Sequence, residues 1–286
     1  MATTTREQLE GQIDRYLEAL SARDPSQLSL TPACHFTENG DELALGQRLW
    51  LSATAREPGG QYFADPEAGQ VAFFGAVAES DKKALVCMRL KVEDGQIAEI
   101  ETTRVPQGGF MFEPESVCSA RPAFVASLAP SQRRPREEIV RIANLYFEGI
   151  EQNNGEIIPL APDVFRIENG VRTANPTDEP ASSEGPLAQI GRKGLAQQLN
   201  DGHFEYIAAI RDRRFLVVDE ERGMVFGMFF FDHPGNESAE GQAPGSIRIS
   251  GSTAIIAEAF KIQDGLIQQV EAIGTLLPYG AKPGWQ

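Results

Sequence analysis

Near the C-terminal end of the chain, Ile256, Glu258, Phe260 and Ile262 alternate. Alternate residues of a strand share a face, so this spacing sets one carboxylate among apolar side chains. A carboxylate there is costly unless it is protonated or paired. A protonated one is an acid that can donate to a developing oxyanion. A paired one is half of a salt bridge, with Arg166 or Arg211 as partner. His233 ends the run MVFGMFFFDH and points with Val225, Gly227, Phe229 and Phe231. Histidine titrates near neutrality, so His233 is the alternative general acid-base; the plainer reading is a hydrogen-bonded core or rim residue. Arg166 and Glu168 share a strand face and can pair. Tyr146 lies on the apolar face of a helix, as a core tyrosine with a satisfied hydroxyl or as a donor to a bound oxygen. His203 and Tyr206 precede the middle strands and are placed at a pocket mouth. Arg211, Arg213 and Arg214 read as a salt-bridged strand edge. Tyr279 and Trp285 either cap the pocket or dock between the two halves of the chain.

Other chemistries are poorly supported. The chain has three histidines and three cysteines, with no CxxC or HxxxH pair, so no zinc or iron site is expected. No glycine-rich nucleotide loop and no GxSxG motif appears, so NAD, ATP and serine-nucleophile chemistry are not supported and no cofactor is expected. A net charge of −15 argues against nucleic acid and against an anionic membrane surface. There is no run long enough to span a bilayer, no basic and then apolar leader, and the cysteines are odd in number and widely spaced. These features suggest a cytoplasmic protein with reduced thiols.

The elements that must position these residues occur twice. Arg6, Glu7, Tyr16 and Glu18 recur as Arg136, Glu137, Tyr146 and Glu148. Glu38-Asn39-Gly40 recurs as Glu168-Asn169-Gly170, Asp65 as Asp219, Val71 as Val225, and KVEDGQIAEIE as KIQDGLIQQVE. Leu9, Ile13, Tyr16, Leu17 and Leu20, like Ile139, Ile142, Tyr146, Phe147 and Ile150, have the spacing of an amphipathic helix. Strands are expected over 33–38 and 163–168, ending in Asn-Gly hairpin turns. Further strands are expected over 214–219, 223–232, 252–262 and 266–273, with Asp94-Gly95 and Asp264-Gly265 as the last turns. The segment 187–200 reads as a helix, and 203–210 as another. The second copy carries insertions, including 174–195 and 234–247, that read as surface loops. Part of 105–134 is a linker from which Phe110, Met111 and Phe112 can dock on the first copy. The expected domains are 1–126, structural or with a degenerate pocket, and 127–286, with the active site.

The order of elements, the helix ending in Tyr-Leu-Glu or Tyr-Phe-Glu, and the late Asp-Gly hairpin resemble the nuclear transport factor 2-like superfamily. That superfamily holds SnoaL-like cyclases, ketosteroid isomerase, scytalone dehydratase and limonene-epoxide hydrolase. FTENGDELALGQRLW, FRIENGVRT, IRDRRFLVVDEERG and LPYGAKPGW are similar to an uncharacterised family within it. The resemblance covers nearly the whole chain as a tandem repeat. It implies an α+β fold of two cone-shaped domains, each a curved antiparallel sheet packed on helices around a pocket. It places a helix tyrosine at Tyr146, a base at Glu168 with Asn169 beside it, and a late-strand acid at Glu258. The first copy keeps Tyr16 and Glu38 but has Met88 at the Glu258 position, within the apolar stripe of Val86 and Leu90.

The expected function is a cofactor-independent lyase or isomerase acting on a small, apolar, aromatic or polycyclic oxygenated molecule. Dehydration, retro-aldol-type cleavage and proton transfer next to a carbonyl all need one base, one acid and a dry pocket. Catalysis is assigned to Tyr146, Glu168, Glu258 and His233, and substrate contact to Asn169, Arg166, His203, Tyr206, Phe229 and Phe260. The alternative is a non-catalytic binding or assembly module. The two copies are expected to pair within one chain, and homo-oligomerisation stays open.

Overall fold

The computed structural model describes residues 4–109, 111–175, 190–235 and 250–285. The first copy runs α1 (Arg6–Ala22), β1 (Leu30–Glu38), β2 (Asp41–Glu42), α2 (Leu49–Ser52), β3 (Ala55–Arg56), β4 (Gln61–Asp65), β5 (Gln70–Glu79), β6 (Lys82–Glu93) and β7 (Gln96–Pro106). Two short helices, α3 (Pro114–Cys118) and α4 (Pro122–Val125), lie in the connection. The second copy runs α5 (Arg136–Glu151), β8 (Leu160–Glu168), β9 (Val171–Ala174), α6 (Leu195–Asn200), β10 (Ala209–Asp219), β11 (Met224–His233), β12 (Ser252–Gln263) and β13 (Leu266–Pro278). Phe110 and most of the two insertions lie outside the described residues.

Helix α1 opens with a capping box: Gln8 N donates to the Thr5 hydroxyl, and Thr5 N donates to the Gln8 side chain. Its apolar stripe, and that of α5, are buried as the spacing predicts. Asn39-Gly40, Asp94-Gly95, Asn169-Gly170 and Asp264-Gly265 all have both residues at positive φ, the geometry of a tight two-residue hairpin turn. The strands order as β2-β1-β7-β6-β5-β3, with β4 also on β5, and as β10-β11-β12-β13-β8-β9.

Each sheet departs from a purely antiparallel one at a single pair: β1 runs parallel to β7, and β8 runs parallel to β13. Parallel neighbours need a long connection, which the rest of each copy supplies. Register shifts at Lys91/Val92 and Leu30/His35 recur at Lys261/Ile262 and Ile267/Gln269. Such bulges bend strands, so both sheets curve at matching places to wrap their helix. The helix expected over 203–210 is absent; turns lead into β10 at Ala209. Phe204, Ile207 and Ile210 have helical spacing, but each is buried from a turn or strand.

Strand alternation sorts side chains into two layers. On β5, Val71, Phe73 and Val77 face α1, while Ala72, Phe74 and Ala76 face the other copy. On β11, Val225, Phe229 and Phe231 face α5, while Phe226, Met228 and Phe230 face the first copy. The two outer sheet faces therefore share one core, where Phe63 and Phe226 stack at 5.8 Å. Val117 of α3, Phe124 of α4 and, less deeply, Phe112 of the connection add to it.

Polar contacts round this core repeat with pseudo-two-fold symmetry, as in an isologous dimer. Arg6 pairs with Asp219 at 2.7 Å, and Arg136 pairs with Asp65 at 2.7 Å. Glu101 binds Arg214 across the interface, and Glu271 binds Gln61 at 2.9 Å. The chain after β13 crosses back to the first copy. Trp285 Nε1 donates to Thr37 Oγ1 at 2.9 Å, and the Arg89 guanidinium lies 4.6 Å from the indole centroid. Trp285 thus takes the interface alternative, with the Arg214 guanidinium 5.8 Å from its ring centroid, while Tyr279 is exposed.

The Asp65 carboxylate is almost wholly buried, so Arg136→Ala strands a charge. We expect it to cost about 3 kcal/mol of unfolding free energy in urea titrations. In a double-mutant cycle with Asp65→Ala the losses should fall short of additivity by about 1 kcal/mol or more. Additive losses would show that the pair does not couple the copies.

Candidate functional site

Glu258 sits mid-strand in β12, opposite Gly227 on β11 and Ala272 on β13. Gly227 is required there, because a Cβ would come within 2.4 Å of the Phe229 ring. Glu258 is 2% exposed and shares the face of Phe260 that looks toward α5, and its Oε2 has no hydrogen-bond partner. Burial, and then the charge of Glu168, push its pKa up to about 8 against the pull of Arg166. At neutral pH it is mostly the neutral acid.

Arg166 on β8 is the hub of the surrounding polar groups. Its Nε reaches Thr173 Oγ1 at 2.9 Å and Glu168 Oε2 at 3.0 Å. Nη1 donates to the Tyr146 hydroxyl at 3.3 Å, and Nη2 to Gln198 Oε1 at 2.9 Å. The guanidinium also lies 5.0 Å from the centroid of Phe204. Burial works against its charge, but Glu168, Tyr146 and Glu258 outweigh it, and its pKa is raised. Gln198 is wholly buried and donates to the carbonyls of Thr173, Ile190 and Lys193, so the acceptor it offers Arg166 is fixed.

Tyr146 projects from α5 into this network, with its ring 5.4 Å from Phe260 and 5.4 Å from Phe147. Burial pushes its phenol up, as it does that of Tyr206. The Tyr206 phenol also feels Glu168 and Arg166 and so belongs to the same neighbourhood. Its ring meets His233 edge-on at 5.3 Å. His233 is driven down to about 4 by burial, so it is a neutral imidazole at pH 7. Phe147 and Phe229, 4.1 Å apart between centroids, pack beside Phe260 as an apolar wall. The side chain of Glu168 is 29% exposed and gives this buried set its contact with solvent.

Other expected residues lie elsewhere. The Asn169 amide exchanges two 2.9 Å hydrogen bonds with the backbone of Gly274. Asn39 does the same with Arg104 at 3.2 and 2.8 Å, so this asparagine ties a turn to a strand in both copies. His203 lies with Lys193 and Asp201 in a surface cluster. Arg211 pairs with Asp232 and Asp212, leaving neither it nor Arg166 in a direct ion pair with Glu258 among the described residues. Gln198, Thr173 and Phe204 were not anticipated. No cluster of metal-ligand side chains occurs among the described residues. No helix there is long and apolar enough to cross a membrane.

A groove of about 510 Å³ opens on the first copy instead, lined by His35, Glu42, Glu93, Glu99 and Trp285 among others. Its carboxylates are exposed or spent: Arg89 and Lys91 hold Glu99, and Lys91 holds Glu93. Unlike the Glu258 neighbourhood it carries no buried carboxyl, so the second copy is the stronger candidate.

A family model described as a domain of unknown function, DUF8021, matches residues 2–104 and 132–274. The chain belongs to this family. No curated protein matches it. Similar solved structures include a de novo designed protein with a curved β-sheet, at 13% identity and TM-score 0.30, over 49% of this chain and 87% of that one. A candidate polyketide cyclase from Xanthomonas campestris is similar at 17% identity and TM-score 0.31, over 48% of this chain and 90% of its own. A candidate ketosteroid isomerase from Kribbella flavida is similar at 16% identity and TM-score 0.29, over 52% and 85%.

Within this DUF8021 chain the two copies solve the same interior differently. Phe36 stands where the second copy has Arg166, and Met88 where it has Glu258. The Tyr16 hydroxyl accepts from Trp50 Nε1 at 3.0 Å rather than from a guanidinium. The site can be tested through linkage. Glu258 titrates near its ordinary 4.5 when unfolded and at about 8 when folded. Between these values the folded state keeps a proton that the unfolded chain has lost. Stability contributed below pH 4.5 is therefore lost as pH rises through 8, by on the order of 5 kcal/mol. Glu258→Gln does not titrate. Urea unfolding at pH 5 and pH 8.5 should show the variant gaining on the wild type by a few kcal/mol at the higher pH. Parallel pH profiles would mean that Glu258 is not held neutral.

Proposed function

We propose that the second copy is a cofactor-independent acid-base catalyst, a lyase or isomerase of small aromatic or polycyclic oxygenated molecules. The observation that carries this reading is Glu258, buried with an unpartnered oxygen and its proton retained at neutral pH, close to Tyr146, Arg166 and Glu168. A substrate carbonyl placed against Glu258 and Tyr146 takes two hydrogen bonds as its oxygen gains negative charge. The Glu168 carboxylate, at the solvent side, removes a proton from the adjacent carbon. Returning that proton to another carbon completes an isomerisation. Passing the Glu258 proton to a departing hydroxyl completes a dehydration. The apolar wall of Phe147, Phe229 and Phe260 excludes water and supports an aromatic body.

A second reading is a module that binds such molecules without converting them. The two readings separate on turnover of a panel of aromatic β-hydroxy carbonyl compounds. We expect conversion by the wild type, and kcat lower by roughly 10²–10³ in Glu258→Gln and in Tyr146→Phe. The wild-type kcat/KM should decline above about pH 8 as Glu258 ionises, and this limb should vanish in Glu258→Gln. Turnover that neither substitution alters would remove these residues from the mechanism.

A further inference from the structure

We propose that the natural ligand of this site carries a carboxylate, received by Arg166. The inference rests on the reading of the second copy as the binding chamber and adds the charge of what it takes. A guanidinium has five N–H groups. At Arg166 the Nε hydrogen goes to Thr173, with the Glu168 carboxylate paired to it at 3.0 Å, one Nη1 hydrogen goes to Tyr146, and one Nη2 hydrogen goes to Gln198. One N–H on each terminal nitrogen is left without an acceptor among the described residues. Two N–H groups on neighbouring nitrogens match the two oxygens of a carboxylate.

The neighbours add donors rather than acceptors. The Tyr146 hydroxyl accepts from Arg166, which leaves its proton for another oxygen. Glu258 Oε2 is buried and unpartnered, and at neutral pH the group holds a proton to donate. The Gln198 oxygen is already occupied by Arg166, and its amide nitrogen serves three carbonyls. Buried donors left unmet are costly, so an interior with this surplus calls for an acceptor-rich, anionic group. Glu168 offsets the Arg166 charge only in part, since it reaches solvent.

The fold does not require this arrangement. The first copy builds the same sheet and helix with Phe36 in place of Arg166 and Met88 in place of Glu258, and its tyrosine is satisfied by Trp50. A buried arginine with unspent donors in one copy and a phenylalanine in the other is the mark of a ligand rather than of packing.

The test uses the full chain at pH 6.5 with 2-naphthoate, methyl 2-naphthoate and 2-naphthamide as probes, read by calorimetry and thermal shift. 2-Naphthoate should bind saturably and raise Tm, and the ester and amide should bind at least about tenfold more weakly. Arg166→Gln should abolish the preference, and Arg166→Lys should weaken 2-naphthoate by about tenfold, since an ammonium lacks the planar fork. If Arg166→Gln does not fold, the guanidinium NMR resonances of Arg166 in the wild type give the same answer: displaced by the acid, unmoved by the ester. Equal binding of acid and ester, or affinity unchanged in Arg166→Lys, overturns the proposal. Binding of the neutral probes alone, weakened by Glu258→Gln, would overturn the carboxylate and leave the chamber standing. Binding of none would overturn both.

Discussion

Asp65 and Asp219 occupy equivalent places in the two sheets, and each holds the first arginine of the other copy's long helix. The exchange fixes more than an ion pair. A curved sheet has two faces, and one helix covers only the concave one. The outer face, with Phe63 and Phe74 in one copy and Phe226 and Phe230 in the other, is too apolar to leave in water. Each copy is the cover for its twin, and the reciprocal arginines bind each helix end to the partner sheet. Because the outer faces are held in mutual contact, both must stay apolar and complementary. The concave faces carry no such mutual constraint, so a concave face can change in one copy alone.

That freedom has been used for charge. Arg166, Glu168 and Glu258 are brought to a place where the first copy keeps Phe36, Glu38 and Met88. Burying an arginine is sustainable only when its donors are met and its charge is balanced. Thr173, Gln198 and Tyr146 meet part of the first need, and Glu168 the second. Glu258 cannot join as a second anion: it is deeper, it sits between Gly227 and Ala272, and the field of Glu168 already opposes its ionisation. The raised pKa of Glu258 thus comes first from its burial and then from the charge of Glu168, against the pull of Arg166.

Much of the fold was legible, because its signals are local. Spacing by three and four gave both long helices, and the Asn-Gly and Asp-Gly pairs gave the hairpins. Strand direction is not local: alternation says which face a residue is on, not which way its neighbour runs, so the parallel pairs were missed. The false helix at 203–210 came from apolar spacing in a turn, where Phe204 and Ile207 are buried without belonging to a helix. In the site, Glu258 stood out because a lone carboxylate broke an apolar face. Arg166 reads as a substrate contact and as a partner for Glu168 or Glu258, but its spacing does not show that it is the hub of the network. Setting the copies side by side at Phe36 and Arg166 would have singled it out. Gln198 carries no periodic signal at all, and only its burial reveals it. Asn169 ties its turn to the backbone of Gly274, a role to which its recurrence as Asn39 already pointed.

The ends of the middle strands show how the difference between the copies extends to the rim. The alignment of Val71 with Val225 sets Glu79 against His233. In the first copy Glu79 is bound by Arg104 at 2.6 Å and by the Ser52 hydroxyl, a closed ion pair. In the second copy the position is an imidazole with a pKa near 4, facing Tyr206. A protonated histidine there would have offered a second cation to any anion approaching Arg166. A carboxylate would have repelled that anion. A neutral ring does neither: the charge His233 feels is that of Asp232, while Arg166 and Glu168 are the charges that Glu258 feels.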